Sequence, residues 1–120
     1  MKSILLIEDD PFLIDIYTTK LKEVGFSVEV ASDGESGWNK LLEKKFDLLI
    51  LDIVLPYVDG WEILRRIKEK QIEDLKIIVL SNIAEKADVE KGVIMGVEKY
   101  LIKAHYTPSE VVKEIEKILE

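Results

Sequence analysis

The chain has 120 residues, of which 48% are hydrophobic, and this size predicts one domain with a single buried core. Its 17 Lys and Arg against 24 Asp and Glu give a formal net charge of −7, which disfavours nucleic acid or an anionic membrane surface as the main partner. The chain contains no cysteine, so disulfides and thiolate metal sites are excluded.

The amino-terminal stretch MKSILLIEDD does not have the pattern of a targeting segment. It runs directly into acidic residues and lacks the length and the small-residue cleavage site of a signal peptide. No apolar run in the chain approaches the ~20 residues that span a bilayer. We therefore expect a soluble, cytoplasmic domain.

Five short apolar runs are separated by stretches whose apolar residues have helical spacing. In chain order the runs are KSILLI (2–7), SVEVA (27–31), DLLILD (47–52), LKIIVLS (75–81) and KYLI (99–102). Strands that alternate with helices of roughly 10 to 15 residues imply crossover connections and a parallel sheet. The first, third and fourth runs are apolar throughout, which predicts that they form the centre of the sheet, covered on both faces.

Capping signals mark several helix ends. Asp10-Pro11 places a capping acid before a proline at the first helical position, and residues 107–110 (TPSE) form a capping box. Gly25 and Gly96 follow helical stretches and suit left-handed carboxyl-terminal caps. The last helix is expected to end near the final residue.

Polar side chains follow four of the predicted strands at the same end of the sheet. Glu8, Asp9 and Asp10 follow the first run, Asp52 ends the third, Ser81 ends the fourth and Lys103 follows the fifth. In an open parallel sheet, ligands bind outside the carboxyl ends of the strands, near the point where strand order reverses. Several carboxylates this close repel one another unless a cation lies among them, and all-oxygen ligands favour Mg²⁺.

Mg²⁺ beside a carboxylate, a hydroxyl and an ammonium indicates phosphoryl transfer. The metal and Lys103 would neutralise the phosphoryl oxygens, Ser81 would hydrogen-bond one of them, and Asp52 would become an aspartyl phosphate. Asp52 is preferred as the nucleophile because its strand lies at the centre of the sheet. Each residue alone has a simpler interpretation, such as a helix cap for Asp10 or a solvated surface lysine for Lys103. The joint placement at four strand ends favours the functional interpretation.

The motifs LLIEDD, LDIVLPYVDGWEIL, IIVLS and YLIKA occur in an order and at a spacing that resemble the receiver domain of two-component response regulators, over the whole chain. The resemblance implies an α/β fold with a doubly wound, five-stranded parallel sheet of order 2-1-3-4-5 and five flanking helices, as in CheY-like domains. Residues 1–120 would form one receiver domain with no output domain.

The resemblance also implies roles for the site residues. Asp52 would accept a phosphoryl group from the histidine of a sensor histidine kinase or a histidine phosphotransfer protein, assisted by Ser81 and Lys103. The Mg²⁺ site would comprise Glu8, Asp9, Asp52 and the backbone carbonyl of Val54. The domain would act as a switch that catalyses only its own phosphorylation and slow dephosphorylation, rather than as an enzyme.

The resemblance further implies a conformational switch. Ser81 would move toward the phosphoryl group, and Tyr100 would rotate inward to fill the space that Ser81 leaves. The signal would then pass by protein contact to a downstream target at the face around the fifth run, from a monomer or a phosphorylation-dependent dimer.

Three positions depart from the family pattern. Ala104 replaces the proline that usually follows the lysine with a cis peptide bond, so the sequence leaves open whether the bond after Lys103 is cis or trans. Asn82 stands where a small residue is usual beside the phosphorylation pocket, which would narrow access for a donor. Tyr57 replaces the glycine that receiver domains commonly have in the loop after Pro56.

Two further features predict kinetics and flexibility. Val54 and Ile83 are apolar at positions that flank the path of a hydrolytic water, so the aspartyl phosphate is expected to last minutes or more. Gly92 lies inside the fourth helical stretch and costs about 1 kcal/mol relative to alanine, which predicts a loosened helix.

Two alternatives come from other functional classes. A phosphatase of the haloacid dehalogenase type also uses a strand-end aspartate but needs a second acid two residues later, where this chain has Val54. A receiver-like binding module that has lost phosphorylation is kept open by Ala104 and Asn82, although the chain retains the site residues that argue against it, namely Glu8, Asp9, Asp52, Ser81 and Lys103. Dinucleotide binding is disfavoured because no G-x-G-x-x-G follows the first strand.

Overall fold

The computed structural model describes all 120 residues and contains five strands and five α-helices in alternation. They are β1 (Ser3–Ile7), α1 (Pro11–Glu23), β2 (Ser27–Ala31), α2 (Gly34–Glu43), β3 (Leu48–Leu51), α3 (Gly60–Lys70), β4 (Lys76–Ser81), α4 (Lys86–Ile94), β5 (Lys99–Ile102) and α5 (Pro108–Leu119), with a 3₁₀ turn at Lys103–His105. Each predicted apolar run contains a strand. No helix has the length and apolar character needed to cross a membrane.

The five strands form one parallel sheet in the order β2-β1-β3-β4-β5, which confirms the predicted topology. The central strands β1, β3 and β4 are buried except for the first residues of β1 and β4, whereas β2 and β5 at the edges are mostly half-buried or exposed. Burial on both faces explains why the central runs are apolar throughout, because neither face of these strands meets water.

The core consists of two apolar layers, one on each face of the sheet. Successive side chains of β3 point to opposite faces. Leu49 and Leu51 pack with residues of α2 and α3, whereas Leu48 and Ile50 pack with residues of α1 and α5. Complete burial of one such side chain stabilises a fold by about 1.5–3 kcal/mol. The two layers therefore hold the central strands firmly and fix the positions at which they end.

The predicted capping signals are confirmed. The Asp10 side chain accepts hydrogen bonds from the first turn of α1, with proline next to it, and Thr107 and Glu110 form the complete capping box of α5. Gly25 and Gly96 have φ angles of 98° and 93°, the left-handed conformation that glycine adopts without steric cost. These caps set where α1 and α5 begin and where α1 and α4 end.

Helix α4 is attached to the body of the protein less extensively than its neighbour α3. Its amino-terminal residue Glu85 makes no side-chain capping hydrogen bond, and Gly92 is its only buried residue. Helix α3 is capped by the Asp59 side chain and buries four residues. The backbone hydrogen bonds of α4 are therefore more exposed to local opening.

We expect backbone amides in α4 to exchange with solvent faster than those in α3. Hydrogen exchange followed by mass spectrometry or NMR measures this directly, with α5, which is capped and has a buried apolar face, as the internal reference. Protection of α4 equal to that of α3 would contradict the expectation.

Candidate functional site

The register of the central strands brings the acidic residues together. Ile7 pairs with Leu51, so the next residues, Glu8 and Asp52, leave the sheet side by side. The Asp52 amide donates a hydrogen bond to the Ile7 carbonyl at 3.1 Å, which extends the pairing by one residue. Strand order reverses at β1 and β3, because β2 and β4 lie on opposite sides of this pair. This is the position at which doubly wound sheets bind ligands.

Three carboxylates meet at this edge. Side-chain oxygens of Glu8, Asp9 and Asp52 all lie within 4.8 Å of one another. Glu8 is 1% exposed and Asp52 is 6% exposed, whereas Asp9 is open to solvent. The cluster thus combines two buried acids with one that a solute can reach from outside, as the sequence predicted for the carboxyl ends of these strands.

Lys103 supplies the positive charge of the site. Its Nζ lies 2.8 Å from Asp52 Oδ2 and 2.8 Å from Glu8 Oε1. The chain contains no cis peptide bond, so the bond between Lys103 and Ala104 is trans. The ammonium therefore reaches Asp52 from a trans backbone at the start of the 3₁₀ turn, which answers the question that Ala104 raised.

Glu8 holds both the loop after β1 and the lysine. Its Oε2 accepts hydrogen bonds from the amides of Asp9 and Asp10, at 3.0 and 3.1 Å, while its Oε1 faces Lys103. Burial raises the pKa of Glu8, the charge of Asp52 adds to this effect, and the hydrogen bonds from Lys103 and from the Asp10 amide oppose it. Both oxygens of Glu8 are thus engaged within the protein.

The same contacts keep Lys103 charged. Burial by itself lowers the pKa of this side chain, but hydrogen bonds to Asp52 and Glu8 and the charges of both carboxylates outweigh burial and raise the pKa. An ammonium held between two carboxylates is well placed to interact with a further anion at Asp52.

Ser81 is the last residue of β4 and is 1% exposed. Its Oγ accepts a hydrogen bond from the Ile83 amide at 3.2 Å, and its hydroxyl lies within hydrogen-bonding reach of the Tyr100 hydroxyl. Ser81 pairs with Ile102, the residue before Lys103, so the hydroxyl and the ammonium lie on adjacent strand ends. Asn82, which follows, is exposed.

The oxygens left free of hydrogen bonds are suited to a hard cation. The Asp9 carboxylate, Asp52 Oδ1 and the backbone carbonyl of Val54 accept no hydrogen bond within the chain. Mg²⁺ takes oxygen ligands at about 2.0–2.1 Å and usually keeps several waters, so one or two carboxylates are a suitable protein share of its shell. The residues present therefore fit Mg²⁺.

The loop after β3 contains an unusual backbone conformation. Tyr57 has a φ angle of 68° and its side chain is 86% exposed. For a residue with a Cβ, this left-handed conformation costs roughly 1–2 kcal/mol. Receiver domains commonly have glycine at this position. The backbone at Tyr57 has the left-handed conformation that glycine would adopt without strain.

Tyr100 lies beside a second aromatic residue that the sequence did not identify as part of the site. Trp61, in the first turn of α3, stacks on Tyr100 with ring centroids 6.5 Å apart and an angle of 28° between the rings. In the sequence, Trp61 is one apolar position of a helical stretch, far from Tyr100 along the chain. The one local indication that Trp61 packs against another element is its size, because a side chain this large is favoured where it can be buried against a neighbour.

Comparison with known proteins supports these observations. The family model of the response regulator receiver domain matches residues 4–116. The chain is 38% identical over 103 residues to the transcriptional regulatory protein AfsQ1 of Streptomyces coelicolor, covering 86% of this chain and 45% of that protein. It is 34% identical over 103 residues to the response regulator ArlR of Staphylococcus epidermidis, covering 86% and 46%. The chain thus spans less than half the length of these relatives.

Solved structures show the same fold. A CheY-like response regulator receiver domain protein from Methanospirillum hungatei superposes with a TM-score of 0.90 at 27% identity, covering 99% of this chain and 94% of that one. The response regulator TrrA of Thermotoga maritima, in complex with Mg²⁺ and BeF, gives a TM-score of 0.82 at 29% identity, with 98% of each chain covered.

Proposed function

Because the chain belongs to the response regulator receiver domain family of two-component systems, we propose that it accepts a phosphoryl group on Asp52. Domains of this family are phosphoacceptors that bind Mg²⁺ at an acidic pocket and interact with histidine kinases or phosphotransfer proteins. The observation that carries the proposal for this residue is the 2.8 Å contact between Lys103 Nζ and Asp52 Oδ2 within the carboxylate cluster.

Asp52 is the nucleophile of the proposed reaction. One carboxylate oxygen forms a bond to phosphorus while the bond between phosphorus and the imidazole nitrogen of the donor histidine breaks, and the electron pair stays with the imidazole. Lys103 is already in contact with Asp52 and offsets the negative charge that the phosphoryl group brings. The Ser81 hydroxyl, at the end of the adjacent strand, would donate a hydrogen bond to a phosphoryl oxygen.

Asp9, Asp52 and the backbone carbonyl of Val54 would hold Mg²⁺ directly. When bound, the ion supplies positive charge that neutralises the oxygens of the transferred phosphoryl group. Glu8 is nearby, but both of its oxygens already accept hydrogen bonds within the chain. Its role in the proposed site is therefore to keep Lys103 and the loop after β1 in place. It would lie beside the ligands of the metal rather than coordinate the ion directly.

The proposed output is a change in the affinity of the surface around β5 for a downstream protein. Ser81 moves toward the phosphoryl group, which favours the inward position of the Tyr100 ring at the surface of α4 and α5, where that protein binds. The net charge of −7 disfavours direct contact of this surface with nucleic acid. Residues 1–120 are proposed to act as one receiver domain, as a monomer or as a phosphorylation-dependent dimer.

One experiment tests the assignment of Asp52. The protein is incubated with acetyl phosphate or phosphoramidate and Mg²⁺, and the intact mass is measured. We expect one added phosphoryl group, which is lost in Asp52→Asn and retained in Asp59→Asn. Asp59 is a matched control because it is an acid of the same loop and asparagine also caps helices well.

No added mass with any donor would favour a binding module that has lost phosphorylation. Added mass that persists in Asp52→Asn would place the acceptor elsewhere. After removal of the donor, the same sample reports whether the phosphoryl group persists for minutes or more, as the apolar Val54 and Ile83 lead us to expect.

A further inference from the structure

Tyr100 is held inward by contacts on three sides. Its hydroxyl donates a hydrogen bond to the backbone carbonyl of Ile83, in the loop between β4 and α4, at 2.8 Å. One face of its ring stacks on Trp61, and its edge lies against α4 at Gly92. Burial raises the pKa of the Tyr100 phenol, the charges of Asp88 and Asp52 add to that effect, and a hydrogen bond with Ser81 opposes it.

Gly92 makes this position of the ring possible. A Cβ added at Gly92 would lie 2.9 Å from Cδ2 of Tyr100, closer than real Cβ contacts come. Gly92 is also the only buried residue of α4. The glycine that the sequence indicates as a weak point of the helix is therefore the surface that receives the tyrosine, and a larger residue there would push the ring away.

Trp61 is itself backed by a cation. The ammonium of Lys91, on α4, lies 4.4 Å from the centroid of the Trp61 ring, a favourable cation–π geometry. Lys91 and Gly92 are neighbours on the same helix, so α4 contacts both members of the aromatic pair. The pair and α4 thus stabilise one another through contacts between groups of the protein itself.

We propose that Trp61 and Gly92 are positioning residues that hold the Tyr100 ring inward before any phosphoryl group is attached. This inference rests on the proposed function, because it concerns the residue through which the phosphorylated site is proposed to signal. A switch whose phosphoryl-free form already favours the inward ring needs little further shift on phosphorylation. The surface around β5 is then largely preformed, and phosphorylation changes its affinity for a partner by a small factor.

The orientation of Tyr100 can be measured directly in the full chain. The four tyrosines are labelled with 3-fluorotyrosine, and Tyr100→Phe identifies the resonance of Tyr100. Broadening of each ¹⁹F resonance by a soluble gadolinium chelate measures how exposed each ring is. Tyr57, which is 86% exposed, serves as the internal reference for a ring in solvent.

In the phosphoryl-free protein we expect the Tyr100 resonance to be protected from the chelate. Trp61→Leu should make it nearly as sensitive as that of Tyr57, and Trp61→Phe should restore most of the protection because an aromatic partner is kept. Trp38→Leu is the matched control, since Trp38 lies on α2 away from Tyr100 and its loss should leave the resonance unchanged. A Tyr100 resonance as exposed as that of Tyr57 in the unsubstituted protein would overturn the proposal.

In the second part of the experiment, Mg²⁺ and beryllofluoride, a mimic of the phosphoryl group, are added and the exposure of Tyr100 to the chelate is measured again. The unsubstituted protein should show little further protection of Tyr100, whereas Trp61→Leu should gain protection. An equal gain in both proteins would overturn the proposal. Bound beryllofluoride has its own ¹⁹F resonances, so failure of Asp52 to bind it would be seen separately and would leave the first part of the experiment as a valid test.

The role of Gly92 has an independent signature. Alanine normally stabilises a helix relative to glycine. If Gly92 accommodates the ring, Gly92→Ala should lower the urea midpoint of the native protein but raise that of Tyr100→Ala, in which the ring is absent. A rise in both backgrounds would show that the ring does not need the space and would overturn this part of the proposal.

Discussion

Replacing Lys103 by methionine is expected to slow phosphorylation of Asp52 by a small phosphodonor by about 100-fold. Methionine keeps most of the length and apolar surface of the side chain but removes the charge. The ammonium lies 2.8 Å from both Asp52 and Glu8, and no other cation contacts either carboxylate. Without Lys103, an incoming phosphoryl group would meet the three carboxylates with Mg²⁺ as the only compensating positive charge.

Time courses of phosphoryl incorporation, followed by intact mass at saturating Mg²⁺, measure this effect. Lys99→Met is the matched control, because Lys99 lies on the same strand and forms only a partly exposed ion pair with Glu114 at 2.7 Å. Such surface pairs contribute about 0–1 kcal/mol to stability, so the control should fold and react at the normal rate. Equal rates for the two variants would contradict the role assigned to Lys103.

Mg²⁺ is expected to stabilise the folded chain, and Asp9→Asn is expected to remove most of that stabilisation. At a Mg²⁺ concentration of 100 times its dissociation constant, linkage predicts about 2.7 kcal/mol of added stability. Without the ion, Asp9→Asn should be slightly more stable than the unsubstituted chain, since one of three mutually repelling carboxylates within 4.8 Å is gone. The same substitution thus changes stability in opposite directions with and without Mg²⁺.

Urea denaturation at several Mg²⁺ concentrations measures both effects without requiring phosphorylation. Asp15→Asn is the control, because Asp15 is an exposed acid on α1 outside the cluster and should respond to Mg²⁺ as the unsubstituted chain does. If Asp9→Asn gained as much stability from Mg²⁺ as this control, Asp9 would not be a ligand.

The positions of Asp52 and Lys103 in the fold could be predicted from sequence because they depend on local patterns. Apolar runs identify the central strands, and the carboxyl ends of parallel strands meet at one edge of the sheet. Asp52, which directly follows Leu51 of β3, must then lie at that edge. The contact between Lys103 and Asp52 confirms this reasoning with side-chain geometry.

The surroundings of Tyr100 could not be predicted in the same way. Its contact with Trp61 depends on how α3 is rotated against the sheet, and the spacing of apolar residues fixes such a rotation only roughly. Likewise, the sequence shows that Gly92 weakens a helix, but only the structure shows that the missing side chain leaves room for a ring. Contacts between elements that are distant in sequence require the packed fold.

Tyr57 offers a practical route to watching this protein at work. Its side chain is 86% exposed and lies in the loop that follows Asp52, and the chain has no cysteine of its own. A Tyr57→Cys variant would therefore contain a single thiol, at a position where the buried layers are undisturbed. A fluorophore attached there would lie in the loop that follows Asp52, the proposed acceptor, and is expected to report the arrival and departure of a donor protein in real time.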